Sequence, residues 1–145
     1  FGHMGIEMDP RELTDHEYNA LKAAIALHKE HREFIHAADL YRLDSDDLSI
    51  NFGLIDEQKS KALFAYNSVR ETPRTAPNKL RFVGLNADTQ YTLNLVWPVK
   101  FEEYRPSSIA AVNGQTFTGE ALMEFGLQMP ISFPQTSLIF ELTKA

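Results

Sequence analysis

Histidines near the start of the chain are the first residues whose spacing could support metal chemistry. His28 and His31 are three positions apart in a stretch of helix-forming residues, so their rings could share one helix face. His36 lies five positions beyond His31 and points elsewhere. Because no third ligand is offered to the pair, a basic helix end is the better interpretation.

Three aspartates, Asp44, Asp46 and Asp47, have the spacing with which a calcium loop begins. Leu48 follows them, and neither the glycine nor the terminal glutamate of an EF-hand loop arrives at its position. A turn before a strand explains these aspartates better, because short carboxylates bond to backbone amides in turns. We therefore predict no metal site and no cofactor.

Carboxylate catalysis would need only two acidic side chains about 5–10 Å apart. The chain has 20 acidic residues, most of them in predicted turns or solvated helical positions, and the sequence does not show which two could pair. It contains no cysteine, no glycine-rich phosphate loop, no nucleophile elbow and no His-Glu-x-x-His motif. The sequence nominates no catalytic residue, and an independent small enzyme has no motif in its favour.

Aromatic side chains could form a sugar-binding platform, since rings stack on the apolar faces of pyranoses. Tyr91 and Trp97 alternate with polar residues in a strand pattern, which favours places in the core. Phe101 and Tyr104 follow in an irregular stretch, and their places remain open. The candidate sugar contacts are Trp97, Phe101 and Tyr104.

Length, composition and charge limit the class of protein. The 145 residues suit one domain, and 43% hydrophobic residues are enough for a core. The net charge of -6, without a basic stripe, argues against a nucleic-acid partner. No apolar run approaches the roughly 18 residues of a membrane span. The lack of cysteine fits a reducing compartment, and we expect a cytoplasmic location.

The elements that must position these residues begin with a helix over 14–37. Thr14 and Glu17 form a capping-box pattern ahead of an interior that contains neither glycine nor proline. Hydrophobic residues recur along this helix at the spacing of one face. The apolar stripe consists of Tyr18, Leu21, Ile25 and Ile35.

After Asp39 the chain changes to short alternating runs separated by turn residues. Residues 48–54 have hydrophobic side chains at every second position, which predicts a half-buried strand. Asn113-Gly114 predicts a hairpin between strands at 110–112 and 115–117. We expect an antiparallel β-sandwich of about seven or eight strands, preceded by one long helix. The predicted divisions are a cloning scar at 1–4, a helical segment at 5–38 and the sandwich at 39–145.

Several motifs resemble one family in order and spacing. They are Ile25-Ala26-Leu27-His28-Lys29-Glu30-His31-Arg32, Tyr41-Arg42-Leu43, Lys61-Ala62-Leu63-Phe64-Ala65-Tyr66, Leu80-Arg81 with Gly84-Leu85 and Tyr91, and Gly119 with Leu122-Met123 and Gly126-Leu127. Together they are similar to the end of the catalytic barrel and the following domain of glycoside hydrolase family 36, the melibiase-type α-galactosidases. His28 stands where that family usually has a tyrosine.

The resemblance implies a larger parent protein with an N-terminal β-supersandwich, a (β/α)8 barrel and a C-terminal antiparallel sandwich. It also implies a retaining enzyme that releases terminal α-galactose from sugars such as melibiose and raffinose, using two aspartates and no metal. The family's nucleophile lies in a Lys-Trp-Asp context, whereas the single tryptophan here lies in Val96-Trp97-Pro98. No catalytic residue is therefore carried over.

Our leading hypothesis is a non-catalytic accessory domain that braces the barrel of the same parent chain, in a protein that could form a homo-oligomer. The helix at 14–37 would be the last barrel helix, so its apolar stripe should be poorly buried in the separated domain. The alternative is a carbohydrate-binding module with its own aromatic sugar site. Two coplanar exposed rings among Trp97, Phe101 and Tyr104 would favour that alternative.

Overall fold

A computed structural model of the chain describes residues 2–73, 75–98 and 108–145. The chain divides into two compact units, one ending at Ala38 and the other beginning at Asp39. Within the described residues, no helix has both the length and the hydropathy that a membrane crossing requires.

The first unit is dominated by one long helix, as the sequence predicts. A 3-10 turn at Pro10–Glu12 precedes α1 (Asp15–Ala37). The Thr14 hydroxyl accepts a hydrogen bond from the Glu17 amide at 3.3 Å, and the Glu17 carboxylate accepts one from the Thr14 amide at 2.9 Å. The predicted capping box is thus confirmed, and it satisfies two amides that the first helical turn would leave unpaired.

Among its described residues, the second unit contains eight strands and two short helices. Six of these strands form one sheet, and the two shortest pair with each other. The strands are β1 (Asp39–Arg42), β2 (Ser49–Ile55), β3 (Lys61–Ser68), β4 (Lys79–Leu80), β5 (Gln90–Trp97), β6 (Gln115–Thr118), β7 (Leu127–Gln128) and β8 (Thr136–Lys144). The helices are α2 (Ser108–Val112) and α3 (Gly119–Glu124). A six-stranded sheet has the order β1-β2-β3-β8-β5-β6, and β4 pairs with β7. Every pairing is antiparallel, which confirms the predicted β-sandwich class.

The core lies on one face of the six-stranded sheet, against the layer that contains β4, β7, α2 and α3. Phe64 on β3 and Phe140 on β8 are fully buried there. Phe82 lies edge-on to both rings, with centroid distances of 4.9 Å to Phe64 and 6.0 Å to Phe140. These edge-to-face contacts join the two layers at the centre of the unit.

Strand β2 presents its less hydrophobic face to the core. Ile50 is 55% exposed, whereas Ser49, Asn51 and Gly53 are buried. Gly53 pairs with Phe64, and a Cβ at Gly53 would overlap the Phe64 ring. The alternation predicted this strand correctly, but it predicted the wrong face of the strand to be turned toward the core. The reason is that β2 must leave space in the core for the ring of Phe64 on β3.

The prediction of a hairpin around Asn113-Gly114 is wrong for the residues before the turn. Residues 110–112 belong to helix α2 and not to a strand. The Asn113 amide donates to the Ile109 carbonyl at 3.1 Å, and Gly114 has a φ of 76°. A glycine with positive φ commonly follows the last turn of a helix, so Asn113-Gly114 ends α2 rather than joining two strands. Strand β6 follows and pairs with β5.

Candidate functional site

The apolar stripe of α1 is exposed at its N-terminal end. Tyr18 is 52% exposed, Leu21 and Ile25 are partly buried, and Ile35 is 9% exposed. The sequence nominated these four side chains for packing against a barrel. That role stays a prediction.

Trp97 is not in the core, although its alternation with Tyr91 predicted that it would be. A register shift between Leu95 and Trp97 pairs Leu95 with Phe140 and Trp97 with Ile139. Since Phe140 faces the core, its neighbour Ile139 faces the opposite side, and Trp97 shares that outer face. Trp97 is partly buried there, whereas Tyr91 is fully buried as predicted.

The other two candidate sugar contacts, Phe101 and Tyr104, lie outside the described residues. Trp97 is therefore the one candidate sugar contact whose position the structure describes.

Within the described ranges, no group of three His, Asp or Glu side chains is placed to hold a metal ion. Asp46 instead accepts hydrogen bonds from the amides of Leu48 at 2.9 Å and Ser49 at 2.8 Å. The turn predicted at this aspartate is thus confirmed.

The glycines of the family-like motifs lie where backbone segments meet in the core. A Cβ at Gly119 would overlap the carbonyl oxygen of Asn86, and one at Gly126 would overlap the carbonyl oxygen of Leu80. Leu80 also pairs with Leu127 across β4 and β7. Gly119 and Gly126 therefore serve close backbone packing.

A small cavity lies where three loops meet beside the start of β2 and the end of β3. We call it the loop-end pocket. Its volume is ≈ 10 Å³, which is room for about one water-sized group. Its lining is mostly polar and consists of Asp46, Leu48, Ser49, Tyr66, Ser68, Arg70, Thr72, Pro77, Asn78 and Ser132.

In the part of the sheet that borders this pocket, several of the buried residues are polar. Ser49, Asn51 and Ser68 are 5%, 8% and 6% exposed, and they are three of the four buried polar residues among those described. The Asn51 side-chain amide donates to the Asp44 carbonyl at 2.8 Å, while its buried Oδ1 has no partner within the described residues. Ser49 also bonds to Asp46, and Asn51 bonds to Ser49, so they tie β2 to the loop that precedes it.

Tyr66 lines the pocket and is 5% exposed. Burial raises the pKa of Tyr66, and the negative charge of Asp46 raises it further. The phenol is therefore neutral at physiological pH and can donate one hydrogen bond.

The sequence offered no signal for this pocket. Asp46, Tyr66, Arg70 and Ser132 come from different loops and from a strand, and no motif or periodicity connects them. The nearest signal was the polar alternate face of β2, where Ser49 and Asn51 stand.

Comparison with known proteins places the chain in a family. Residues 51–142 match the model of the glycosyl hydrolase family 36 C-terminal domain. The chain belongs to glycoside hydrolase family 36. The match runs from within β2 to within β8 and covers most of the core of this family 36 domain, whereas the pocket residues Asp46, Leu48 and Ser49 precede it.

Two relatives of the family 36 domain are α-galactosidases. The chain is 30% identical to an Escherichia coli alpha-galactosidase over 159 aligned positions that cover 100% of the chain and 22% of the relative. It is 25% identical to alpha-galactosidase 2 of Hypocrea jecorina, covering 99% of the chain and 17% of the relative. The chain thus spans about a fifth of the length of these two relatives.

Solved structures show the same fold at lower sequence identity. The galactosidase domain of an alpha-galactosidase-sucrose kinase superposes with a TM-score of 0.75 at 20% identity, covering 94% of the chain and 17% of that structure. A family 36 α-galactosidase from Geobacillus stearothermophilus in complex with raffinose superposes with a TM-score of 0.73 at 22% identity, covering 93% and 17%. The family 36 domain is a small part of a larger enzyme chain in each case.

Proposed function

We propose that this chain is a non-catalytic accessory domain that braces the (β/α)8 catalytic barrel of an α-galactosidase. The observation that supports the proposal is the match of residues 51–142 to the family 36 C-terminal domain. The chain spans only 22% of the E. coli relative, so the greater part of a parent of that length would lie outside it. The barrel would occupy part of that remainder.

The described side chains fit a mechanical role. The motif glycines Gly119 and Gly126 serve close backbone packing, and the exposed Tyr18 end of the α1 stripe is available for an apolar partner. In the parent, Tyr18, Leu21, Ile25 and Ile35 would pack against the barrel. Burying apolar area of this kind stabilises by about 25 cal/mol per Å² removed from water.

The parent would be a cytoplasmic retaining enzyme of carbohydrate metabolism that cleaves terminal α-galactosides of the melibiose and raffinose type. Two aspartates of the barrel would act as nucleophile and acid/base. The two relatives described above are α-galactosidases, which supports this part of the proposal. The parent could further assemble as a homo-oligomer.

Bracing is tested by weakening the sandwich inside the full-length parent. Phe140 is fully buried, and Phe140→Ala should destabilise the domain by about 3–5 kcal/mol. We expect α-galactosidase activity to be lost at a lower temperature in this variant. Phe125→Ala is the matched control, because Phe125 is 70% exposed. If proteolysis shows an unfolded sandwich while heat resistance is unchanged, the domain does not brace the barrel.

The lack of catalysis is tested on the chain itself. Incubation with raffinose, followed by proton NMR, should show no free galactose. Galactose that appears in proportion to the amount of purified chain would overturn the non-catalytic role.

A carbohydrate-binding module is the second candidate function, favoured by the bulge that places Trp97 on the outer face of β5 beside Ile139. Trp97, Phe101 and Tyr104 would then stack on sugar rings. Raffinose should shift the indole N–H resonance of Trp97 in the wild-type chain. An indole resonance that raffinose leaves in place would exclude a sugar site at Trp97.

A further inference from the structure

The turn between α2 and β6 contains the only asparagine of the chain that is followed by glycine, at Asn113-Gly114. In such a pair the glycine nitrogen can attack the side-chain carbonyl carbon of the asparagine with little steric hindrance, because glycine has no Cβ. Asparagine counts among the thermolabile residues of proteins. Both residues are exposed, so burial does not keep water from them.

Hydrogen bonds to β5 hold both of the groups that would react. The Gly114 amide donates to the Leu93 carbonyl at 2.7 Å. Oδ1 of Asn113 accepts a hydrogen bond from the Leu95 amide at 2.7 Å, which fixes the rotation of the side-chain amide. The pairing of β5 with β6 ends at Leu93, so the Asn113 side chain provides the partner that β6 does not provide for Leu95.

The helix before the turn adds a third restraint. The Asn113 amide donates to the Ile109 carbonyl at 3.1 Å, and the Ile109 side chain is anchored in the core at 1% exposure. Attack by the Gly114 nitrogen requires that this nitrogen lose its proton, and with it the hydrogen bond to Leu93. The turn must therefore open locally before the reaction can begin.

We propose that Asn113-Gly114 is a deamidation site that the folded domain keeps closed and that opening of the α2–β6 turn exposes. The Gly114 nitrogen forms a bond to Cγ of Asn113, the bond from Cγ to Nδ2 breaks, and the amide group leaves as ammonia with the proton of the nitrogen. Water then opens the five-membered imide at either carbonyl, which gives aspartate or isoaspartate. The site does not depend on the accessory role proposed above.

The two products differ in whether the turn can form again. Aspartate keeps a side-chain oxygen that can accept the hydrogen bond from the Leu95 amide. Isoaspartate adds one carbon to the main chain between residues 113 and 114, so α2 and β6 can no longer both keep their positions against β5. We expect aspartate to preserve the turn and isoaspartate to disrupt it.

Incubation of the purified chain at mildly alkaline pH, in native buffer and in guanidinium chloride, tests the proposal. Peptide mass spectrometry follows deamidation at each asparagine. We expect Asn113 to react fastest of all asparagines in the denatured chain and at least about tenfold more slowly in the folded chain, since reaction there awaits opening. Equal rates in the two buffers would overturn the proposal, and so would a faster reaction at another asparagine in the denatured chain.

Ile109→Ala tests whether the turn opens by itself or only with the whole domain. The substitution removes the buried anchor of α2, so deamidation of Asn113 in native buffer should accelerate at least about threefold. Leu63→Ala is the matched control, because Leu63 is equally buried at 1% but lies on β3, which β8 separates from β5. Equal acceleration in both variants would show that global unfolding exposes the site and would overturn local opening of the turn.

Refolding distinguishes the two products. After the denaturant is removed, chains with aspartate at position 113 should return to the protease-resistant fraction, whereas chains with isoaspartate there should be depleted from it. Isoaspartate at an unchanged share in the refolded fraction would contradict the role given to the hydrogen bonds with Leu93 and Leu95.

Discussion

Gly119 must be a glycine because the backbone of Asn86 lies too close for any side chain. The residues around Gly119 in the sequence do not reveal this contact. Gly119 begins α3, where alanine would ordinarily favour the helix by roughly 1 kcal/mol. The Asn86 carbonyl oxygen occupies the space that a Cβ would need, and a backbone atom cannot turn away as a side chain can. Steric overlap therefore outweighs helix propensity at this position.

Gly119→Ala should lower the free energy of unfolding by about 1–3 kcal/mol, the usual cost of forcing an extra carbon into a packed site. Gly5→Ala is the control, because no atom lies within 4 Å of the Cβ it would add. Urea denaturation of both variants measures the difference. A Gly119→Ala chain as stable as the wild type would show that α3 moves away from Asn86 without cost.

Trp97 is the single tryptophan of the chain, so its fluorescence reports one position. The side chain is partly buried on the outer face of the sheet. We expect acrylamide to quench it at a rate between that of free tryptophan and that of a core residue. Full protection from acrylamide would argue that Trp97 belongs to the core, as its alternation with Tyr91 suggested.

At the scale of elements, the β2–β3 turn depends on a single carboxylate. Burial alone would raise the pKa of Asp56, but the amides of Lys61 and Ser60 and the Ser60 hydroxyl bond to the carboxylate and hold its pKa below the usual 3.8. A carboxyl whose pKa is lower in the folded state contributes stability above pH 3.8. That contribution is lost as the pH falls through the folded pKa.

We expect amide exchange at Ser60 and Lys61 to accelerate, relative to the rest of β3, as the pH falls below 3.8. Asp56→Asn removes the titrating group, so its turn amides should show no such pH dependence. Carboxyl carbon NMR would give the pKa directly. A titration midpoint above 3.8 would contradict the role assigned to these hydrogen bonds.

At the scale of the whole chain, the second unit has a core of its own. The cluster of buried hydrophobic residues runs from Leu43 to Leu142 and includes no residue of α1. We therefore expect a fragment of residues 39–145 to unfold cooperatively on heating, as small domains usually do. Residues 5–38 alone should be marginally helical, because isolated helices gain little stability without packing. Circular dichroism of the two fragments measures both, and a non-cooperative melt of 39–145 would contradict this expectation.

Local signals predicted the elements of this protein well. The capping residues Thr14 and Glu17 mark the start of α1, and the alternation over residues 48–54 marks β2, because caps and strand periodicity depend only on neighbouring residues. The order of several motifs along the chain also sufficed to indicate family 36, which the match over residues 51–142 confirms.

Tertiary structure alone decided which faces are buried and which distant residues meet. The inner face of β2 depends on Phe64 in the next strand, and the outward position of Trp97 depends on a bulge against β8. The loop-end pocket joins Asp46, Tyr66, Arg70 and Ser132, which come together only when three loops close. Contacts between residues far apart in sequence leave no periodic signal, so only the folded chain reveals them.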